Sequence, residues 1–301
     1  MQQRDERKAI LTGMLFAVLV GFAFVANKAA LASGGLYDVL AYRFLFALAG
    51  LPLLLFIKKE SLRVPRKDIP TLALICSTYV LFLFFQLIGL ITCSTVIGAI
   101  FFATAPILIA VIAVPMLHER LHAIQLVAVL AGGAAVILMI CAGEGAREIT
   151  LVGGFFLALS TVSTALHSIL TRMHRSKFTP TIITSWIVIA GAGFFTILLL
   201  YDHLRRGDML SFFAPLGNAQ FLLSAAYLGI GCILLSSLTI TYTFRILPAA
   251  KAGVFSNIST VISILAGGII QHEPLTILHI ICVGVVIAAA FIINRRKEQL
   301  A

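Results

Sequence analysis

Charged residues are scarce in this chain of 301 residues. Only 11% of the residues are Asp, Glu, Lys or Arg, whereas 60% are hydrophobic and the mean hydropathy is +1.08. A soluble globular domain carries about twice that charged fraction. The composition therefore excludes a soluble enzyme or binding domain and indicates an integral membrane protein in contact with the lipid bilayer.

Three further absences narrow the function. No GxxxxGK loop occurs, which argues against ATP-driven transport by this chain alone. No Asp or Glu lies deep in an apolar stretch, so a carboxylate proton relay has no support. The five cysteines form no CxxC pair, and we expect no metal, redox centre or cofactor. They are Cys76, Cys93, Cys141, Cys232 and Cys282.

Long apolar stretches dominate what is present. Ten of them have about 20 residues, the length needed to cross roughly 30 Å of hydrocarbon. They lie near residues 9–31, 36–57, 70–91, 95–117, 121–142, 150–171, 180–201, 220–242, 248–270 and 274–294. The first stretch is interpreted as a retained span, because it is too long for a cleaved signal peptide. The sequence predicts an all-α membrane protein with ten transmembrane helices.

The basic residues indicate an orientation. With ten spans, 17 of the 22 Lys and Arg residues fall on the side of the two termini. Positive charge concentrates on the cytoplasmic side of membrane proteins. We therefore expect a multi-pass protein of the cytoplasmic (inner) membrane with both termini in the cytoplasm. The same bias explains the formal charge of +10 without a nucleic-acid partner.

The chain repeats itself. His118–Glu119 closes one apolar hairpin, and His272–Glu273 closes another 154 residues later. A glutamate at such a turn suits the positive end of the helix that follows, here predicted spans 5 and 10. The halves, residues 1–142 and 143–301, hold five spans each, and an odd number of spans inverts the second half. Inverted repeats of this kind are typical of secondary transporters.

These repeated segments resemble a known family. The segments LITCSTVIGAIFFATAPILIAVIAVPMLHERLHAIQLVAVLAGGAAVIL and RILPAAKAGVFSNISTVISILAGGIIQHEPLTILHIICVGVVIAAAFII are similar to the duplicated EamA-type domain of the drug/metabolite transporter superfamily. The resemblance covers nearly the whole chain, although His-Glu replaces the family's Gly-Glu turn and Cys282 replaces a usual glycine. It implies a ten-helix inner-membrane carrier of small metabolites, often an exporter of amino acids or drugs, with a central cavity between its halves.

Arg43 is the leading candidate for substrate binding. It lies about three residues from the middle of the second predicted span, where a cation costs roughly 2.5–3.5 kcal/mol unless it has a partner or faces water. A substrate carboxylate would suit its planar, bidentate fork. The alternative is a structural role, in which Arg43 pairs with Asp38 or with carbonyls of a broken helix.

Other polar side chains lie within the predicted spans. Lys28 either extends to the membrane interface or attracts anions to a gate. His167 continues a polar face of the sixth span and is the deep titratable group suited to proton coupling. Trp186 occupies the position equivalent to Arg43 and could stack on an apolar ligand. The predicted substrate-binding residues are Arg43, Trp186, His167, Asn257, Gln86, Ser163, Tyr79 and Lys28.

One motif suggests an enzyme. Residues 118–122 read HExxH, the zinc-binding pair and general base of metalloproteases. The motif falls at a turn rather than on a helix, and the second copy lacks the second histidine. An intramembrane zinc protease is therefore the alternative of another class, and the protein is not predicted to be an enzyme.

The sequence thus predicts a secondary transporter, in the export direction, of small zwitterionic or anionic metabolites such as amino acids. Its two halves would expose a midplane site to either side in turn, with proton coupling or exchange as the energy source. A multidrug exporter of hydrophobic cations is the alternative within the same class. A small-molecule substrate is the expected partner in either case.

Overall fold

The computed structural model describes residues 2–117, 123–141, 150–247, 249–273 and 275–297, and every regular element in these ranges is helical. In these ranges seven helical segments are long and apolar enough to cross a membrane: Asp5–Leu31, Leu36–Lys58, Arg66–Thr92, Thr95–Met116, Leu151–Met173, Pro180–Arg206 and Ala219–Thr243. Three shorter apolar helices, Ala123–Ala135, Val254–Ile270 and Ile277–Ala289, coincide with the other predicted spans. The all-helical membrane class is confirmed, and the count of ten spans stays a prediction.

Several spans are divided into shorter helices. The α-helices are α1 (Gln2–Gly21), α2 (Ala23–Leu31), α3 (Leu36–Lys58), α4 (Ile69–Thr92), α5 (Thr95–Ala103), α6 (Ala105–Leu117), α7 (Ala123–Cys141), α8 (Leu151–Met173), α9 (Pro180–Arg206), α10 (Ala219–Ala226), α11 (Ser236–Ile246), α12 (Ala249–Ile270) and α13 (Ile277–Lys297). A π-helical segment, Tyr227–Leu235, joins α10 to α11.

Polar residues before several spans fix where the helices begin. The side chains of Ser94, Thr150 and Thr179 each accept a hydrogen bond from the backbone N–H three residues later, at 3.0–3.3 Å. Asn218 does the same for the first N–H groups of α10. Such caps satisfy backbone donors that have no partner inside the helix. These capping residues therefore mark in the sequence where the helices begin.

Hydrogen bonds between loops define the two ends of the bundle. At the Glu60 end, where α8 ends and α4 and α9 begin, Lys177 Nζ lies 3.1 Å from Asp68 Oδ1. At the same end Thr181 donates to Glu60 Oε1 at 3.3 Å. At the opposite end, named the Glu273 end, α4 ends and α5 and α8 begin. There Thr150 donates to Thr92 at 2.7 Å.

The first span bends where α1 meets α2. The Leu19 carbonyl accepts hydrogen bonds from the Tyr227 hydroxyl at 2.7 Å and from the Cys232 thiol at 3.2 Å. Ser263 donates to the Gly21 carbonyl at 2.7 Å. Backbone carbonyls exposed at a helix bend need such donors inside a membrane protein. All three donors lie in the second half of the chain, so the second half stabilises the bend.

The fourth span is also interrupted. Helix α5 ends at Ala103 and α6 begins at Ala105, with Pro106 in the first turn of α6. Proline lacks the N–H that would continue the helical ladder. The interruption of the fourth span therefore lies beside Pro106, whereas α12 is continuous from Ala249 to Ile270.

The two halves pack into each other rather than side by side. Helix α4 packs along α8, α3 packs along α9, and α7 packs along α13. Helix α1 packs against both α11 and α12, and the π-helical segment packs against α3. The main hydrophobic core consequently draws buried residues from both halves. Any buried site in this bundle is shared between them.

Candidate functional site

Arg43 is almost completely buried in α3. Its side chain is 3% exposed, and Nη1 donates to Oδ1 of Asn27, which is fully buried in α2, at 3.3 Å. Nε of Arg43 and Nδ2 of Asn27 have no hydrogen-bond partner among the residues that the structure describes. In the described part of the chain, no carboxylate oxygen lies within salt-bridge distance of Arg43. The guanidinium is thus a buried positive charge whose Nε–H has no acceptor in the described structure. The Asn27 amide N–H, which likewise has none there, belongs to the residue that the guanidinium contacts.

Asp38 does not neutralise Arg43. Its Oδ2 accepts a hydrogen bond from the Gly35 N–H at 2.9 Å, which closes the first turn of α3. Its Oδ1 lies 3.9 Å from His203 Nε2. The sequence alternative that pairs Arg43 with Asp38 is therefore wrong.

A first cavity, the His167 cavity, has a volume of about 250 Å³. His167 and Tyr79 meet edge to face on its wall, with ring centroids 5.1 Å apart. Tyr79 also lies near enough to Arg43 to interact with its charge. The remaining lining is apolar or hydroxyl-bearing: Thr171, Pro180, Ile183, Thr184, Ile187, Ile233, Ser236, Ser237, Ile240 and Thr241. The structure therefore brings three predicted site residues together.

A second cavity, the Asn257 cavity, has a volume of about 180 Å³. It lies between α8 and α12, with α1, α5 and α6 completing the wall. Its lining is Phe16, Val20, Phe102, Ala103, Ala105, Pro106, Ile109, Thr164, Ser168, Ser256, Asn257, Ser259 and Thr260. Thr164 and Ser168 face this cavity, whereas His167 and Thr171 face the other. The polar face predicted on the sixth span is therefore divided between two cavities, with α8 between them.

The other predicted site residues lie apart from these cavities. Trp186 donates its indole N–H to the Leu62 carbonyl at 3.3 Å, near the Glu60 end. Ser163 donates to the Leu159 carbonyl of its own helix at 2.8 Å. Gln86 is buried in α4. A direct role for these three in substrate binding stays a prediction.

Sequence reasoning missed a polar cluster at the Glu273 end. The Glu273 carboxylate accepts the backbone N–H groups of Thr95 at 2.6 Å and of Val96 at 2.8 Å. Gln271 accepts from the Thr95 hydroxyl at 2.8 Å and donates to the Val25 carbonyl at 3.2 Å. We call Gln271, Glu273 and Thr95 the latch, because they join the α12–α13 connection to α2 and α5.

Glu273 does not cap the N-terminus of the helix that follows it. The sequence-based expectation that it stabilises the start of the tenth predicted span is therefore wrong. Helix α13 begins only at Ile277, whereas the carboxylate caps the N-terminus of α5 in the other half. Negative charge there is stabilised by the helix dipole. The repeated His-Glu pair pointed to the importance of Glu273. The neighbouring sequence, however, does not indicate that its carboxylate binds the N-terminus of α5.

Lys28 lies near this latch. It interacts electrostatically with Glu273 and lines an open cavity of about 420 Å³ at the same end. The other lining residues are Leu31, Ala32, Gly34, Leu36, Leu90 and Ile91. Both interpretations of Lys28, extension toward the interface and a role in gating, stay predictions.

The residues of the possible zinc motif, His118, Glu119 and His122, lie outside the described residues. Within the ranges that the structure describes, no group of three or more His, Cys, Asp or Glu side chains could hold a metal ion.

Long apolar helices from two interleaved halves, with cavities of mixed apolar and polar lining between them, define a multi-pass membrane protein. Comparison with known proteins gives the family. The EamA-like transporter family matches residues 7–141 and again residues 151–295, so the chain belongs to that family. The resemblance inferred from the repeated segments is confirmed.

Individual relatives align with this chain along nearly its full length. The chain is 29% identical over 306 residues to the uncharacterized transporter YcxC of Bacillus subtilis (strain 168), covering 99% of this chain and 97% of that protein. It is 24% identical over 281 residues to an uncharacterized transporter of Archaeoglobus fulgidus, covering 92% and 95%. A solved crystal structure shares the fold with a TM-score of 0.67 at 16% identity, covering 96% of this chain and 98% of the other.

Proposed function

We propose that this protein is a secondary transporter that exports small zwitterionic or anionic metabolites, with amino acids as the leading substrate class. The observation that carries the proposal is Arg43, a buried cation without a carboxylate partner among the described residues. A substrate carboxylate would provide the missing charge. This carboxylate would accept hydrogen bonds from Nε of Arg43 and from Nδ2 of Asn27, two donors of this pair without a partner in the described structure.

We further propose ten spans arranged as inverted repeats, residues 1–142 and 143–301. The packing supports this arrangement, because most contacts have a counterpart with the halves exchanged. The packing of α4 on α8 corresponds to that of the first span on α10 and α11, and α3 and α9 pair with each other. The excess of basic residues at the Glu60 end supports cytoplasmic termini in an inner membrane.

Alternating access would follow from these repeats. The latch holds α2, α5 and the α12–α13 connection together at the Glu273 end. The His167 cavity is displaced toward the Glu60 end, because Thr171 lies near the end of α8 and Pro180 begins α9. We infer that this conformation admits substrate from the Glu60 end, and that release of the latch opens the other side.

The latch gives a direct prediction. In Glu273→Gln one carboxylate oxygen becomes an N–H donor facing backbone N–H groups, and the negative charge at the start of α5 is lost. A hydrogen bond to a charged group contributes roughly 1.5–3 kcal/mol, so the closed state should lose about 10-fold or more in population. Cys93, 2% exposed and adjacent to the capped helix, should then react faster with maleimide in a variant retaining Cys93 alone.

The matched control for this experiment is Asp202→Asn. Asp202 pairs with Arg206 at 2.8 Å at the same end of the bundle, where Asp202 is half-buried and Arg206 is exposed on α9. Its substitution should leave the Cys93 reaction rate unchanged. Equal rates in Glu273→Gln and the unsubstituted protein would contradict a role of the latch in closure.

Export of hydrophobic cations is the second candidate, and the Asn257 cavity favours it. Among the described residues no charged side chain lines this cavity, and Phe16 and Phe102 offer aromatic faces. Ser168, Ser259 and Thr260 each donate their hydroxyl proton to a carbonyl of their own helix. The lone pairs that remain are acceptors, which suits a cationic ligand.

Counterflow in proteoliposomes tests the proposal. Vesicles loaded with unlabelled compound are diluted into the labelled compound, and a panel of amino acids, other carboxylates and hydrophobic cations is compared. Exchange of carboxylates supports the leading proposal, and exchange of cations alone supports the second candidate. Absence of counterflow for every carboxylate would refute the leading proposal.

A further inference from the structure

The connection between α9 and α10 runs along one surface of the bundle. Its central part is a 3₁₀-helical stretch, Met209–Gly217, which we call the surface segment. It joins the last turn of α9 to the first turn of α10 at the Glu273 end. With nine residues it is too short to cross a membrane, which takes about 20 residues in a helix. The surface segment therefore lies along the membrane surface at that end.

One face of the surface segment is fixed to the bundle. The Tyr42 hydroxyl of α3 donates to the Phe212 carbonyl at 2.6 Å, and the two rings meet edge to face with centroids 6.1 Å apart. Ser211 donates to the Asp208 carbonyl at 3.0 Å. Phe212 and Leu216, four residues apart, pack against the main hydrophobic core. These contacts hold the segment in one orientation.

The other face carries large apolar side chains that are exposed. Leu210 is 98% exposed, Phe213 is 68% exposed and Met209 is 44% exposed. Leaving a Leu or Phe side chain in water forfeits about 1.5–3 kcal/mol relative to burying it. Because Phe212 already fixes the inner face, the segment cannot turn Leu210 and Phe213 toward the core. This face therefore fits an apolar partner outside the chain.

The lipid-facing side of α9 leads to this face. Four exposed apolar side chains follow one another on α9 at intervals of three or four residues, so they share one side of the helix. They are Phe194, Ile197, Tyr201 and Leu204, and each is at least half exposed. Since α9 is long and apolar enough to cross a membrane, lipid is the partner of this side. Along the chain, the exposed apolar residues continue from Leu204 to Leu210.

The length of α9 places the surface segment near the lipid headgroups. α9 has 27 residues and is about 40 Å long at 1.5 Å per residue, whereas the hydrocarbon core is roughly 30 Å thick. Its last two turns hold the charged residues Asp202, Arg205 and Arg206, which belong outside the hydrocarbon. Tyr201 precedes them, and tyrosine collects at the membrane interface. Arg205 is exposed, and a guanidinium at this level suits the phosphate groups of lipids.

We propose that the surface segment is a membrane-surface anchor, in which Leu210 and Phe213 insert among the lipid acyl chains at their boundary with the headgroups. Amphipathic segments in this boundary bury their apolar face about 5–10 Å deep. The hydrogen bond from Tyr42 to the Phe212 carbonyl connects the anchor to the start of α3, the helix that carries Arg43. The anchor requires no particular substrate, so this inference goes beyond the proposed function.

A tryptophan reporter tests the depth of this face. The chain has one tryptophan, Trp186, so Phe213→Trp combined with Trp186→Phe leaves a single indole on the exposed face. The variant is reconstituted in phosphatidylcholine vesicles whose acyl chains carry bromine near the headgroup. Iodide, equilibrated across the vesicle membrane, is the water-soluble quencher. The brominated chains should quench most of the emission, and iodide should quench little of it.

The matched control is Lys67→Trp in the same Trp186→Phe background. Lys67 lies on another short 3₁₀ helix, Arg66–Asp68, which has no buried residue and consists of charged residues alone. Its indole should be quenched more strongly by iodide than by the brominated chains. Its emission maximum should lie at longer wavelength than that of Phe213→Trp.

Leu210→Trp, again with Trp186→Phe, provides a second reporter in case Phe213→Trp does not reconstitute. Strong quenching by iodide without quenching by the brominated chains would show that the face lies in water, which overturns the inference. Protection from both quenchers would show that protein covers the face, for example a second copy of this chain, and this outcome also overturns it. Failure of all carboxylate counterflow would refute the proposed function and leave the anchor unaffected.

Discussion

Arg43→Ala is expected to abolish counterflow of carboxylate substrates. The Arg43 side chain is a buried cation, and its Nε donor has no partner among the described residues. Hydrogen bonds to charged groups contribute roughly 1.5–3 kcal/mol, which corresponds to about a 10- to 100-fold loss of affinity. Arg43→Lys should also fail to restore affinity, because lysine keeps the charge but lacks the planar fork. Counterflow rates over a range of substrate concentrations measure both effects.

The fold should survive these substitutions. Removing one partner of a buried ion pair leaves an uncompensated charge, but Arg43 has no such partner in the described structure. Among the described residues, the substitution removes a donor from the side-chain oxygen Oδ1 of Asn27 alone. Thermal stability in detergent should therefore change little, and Arg206→Ala on the surface provides the control for loss of a cation. Normal carboxylate transport by Arg43→Ala would show that the guanidinium serves the structure alone.

Much of the fold could be predicted from the sequence because membrane insertion constrains every span. A helix must be apolar over about 20 residues to cross the bilayer, so composition alone locates most of the spans. The interruption beside Pro106 was predictable for a similar reason, since proline removes a backbone donor wherever it occurs. The candidate role of Arg43 followed from the cost of charge in hydrocarbon.

What could not be predicted depends on contacts between distant residues. Glu273 and Thr95 are separated by 178 positions, and no local pattern indicates that a loop of one half caps a helix of the other. The Asn27–Arg43 contact and the division of the cavities by α8 have the same origin. The π-helical segment was also missed, although Gly229 and Gly231 within it were a signal of close backbone packing.

Gly229→Ala is expected to lower both stability and transport. A Cβ atom at this position would overlap the Arg43 carbonyl oxygen, and it would lie 2.9 Å from the Ala47 nitrogen. Backbone atoms cannot rotate away as a flexible side chain could, so α3 and the π-helical segment must separate. Overpacking of this kind costs typically about 1–3 kcal/mol, and here it displaces the backbone that carries Arg43.

The sign of this effect is informative because helix propensity acts in the opposite direction. Alanine is favoured over glycine within a helix by about 0.8–1 kcal/mol, so a site without steric conflict should be stabilised. Gly193→Ala in α9 is the matched control, since no atom lies within 4 Å of its added Cβ. Thermal unfolding in detergent should show a lower midpoint for Gly229→Ala and an equal or higher midpoint for Gly193→Ala. If both variants were equally stable, the close approach of Gly229 to Arg43 would not be what positions the guanidinium.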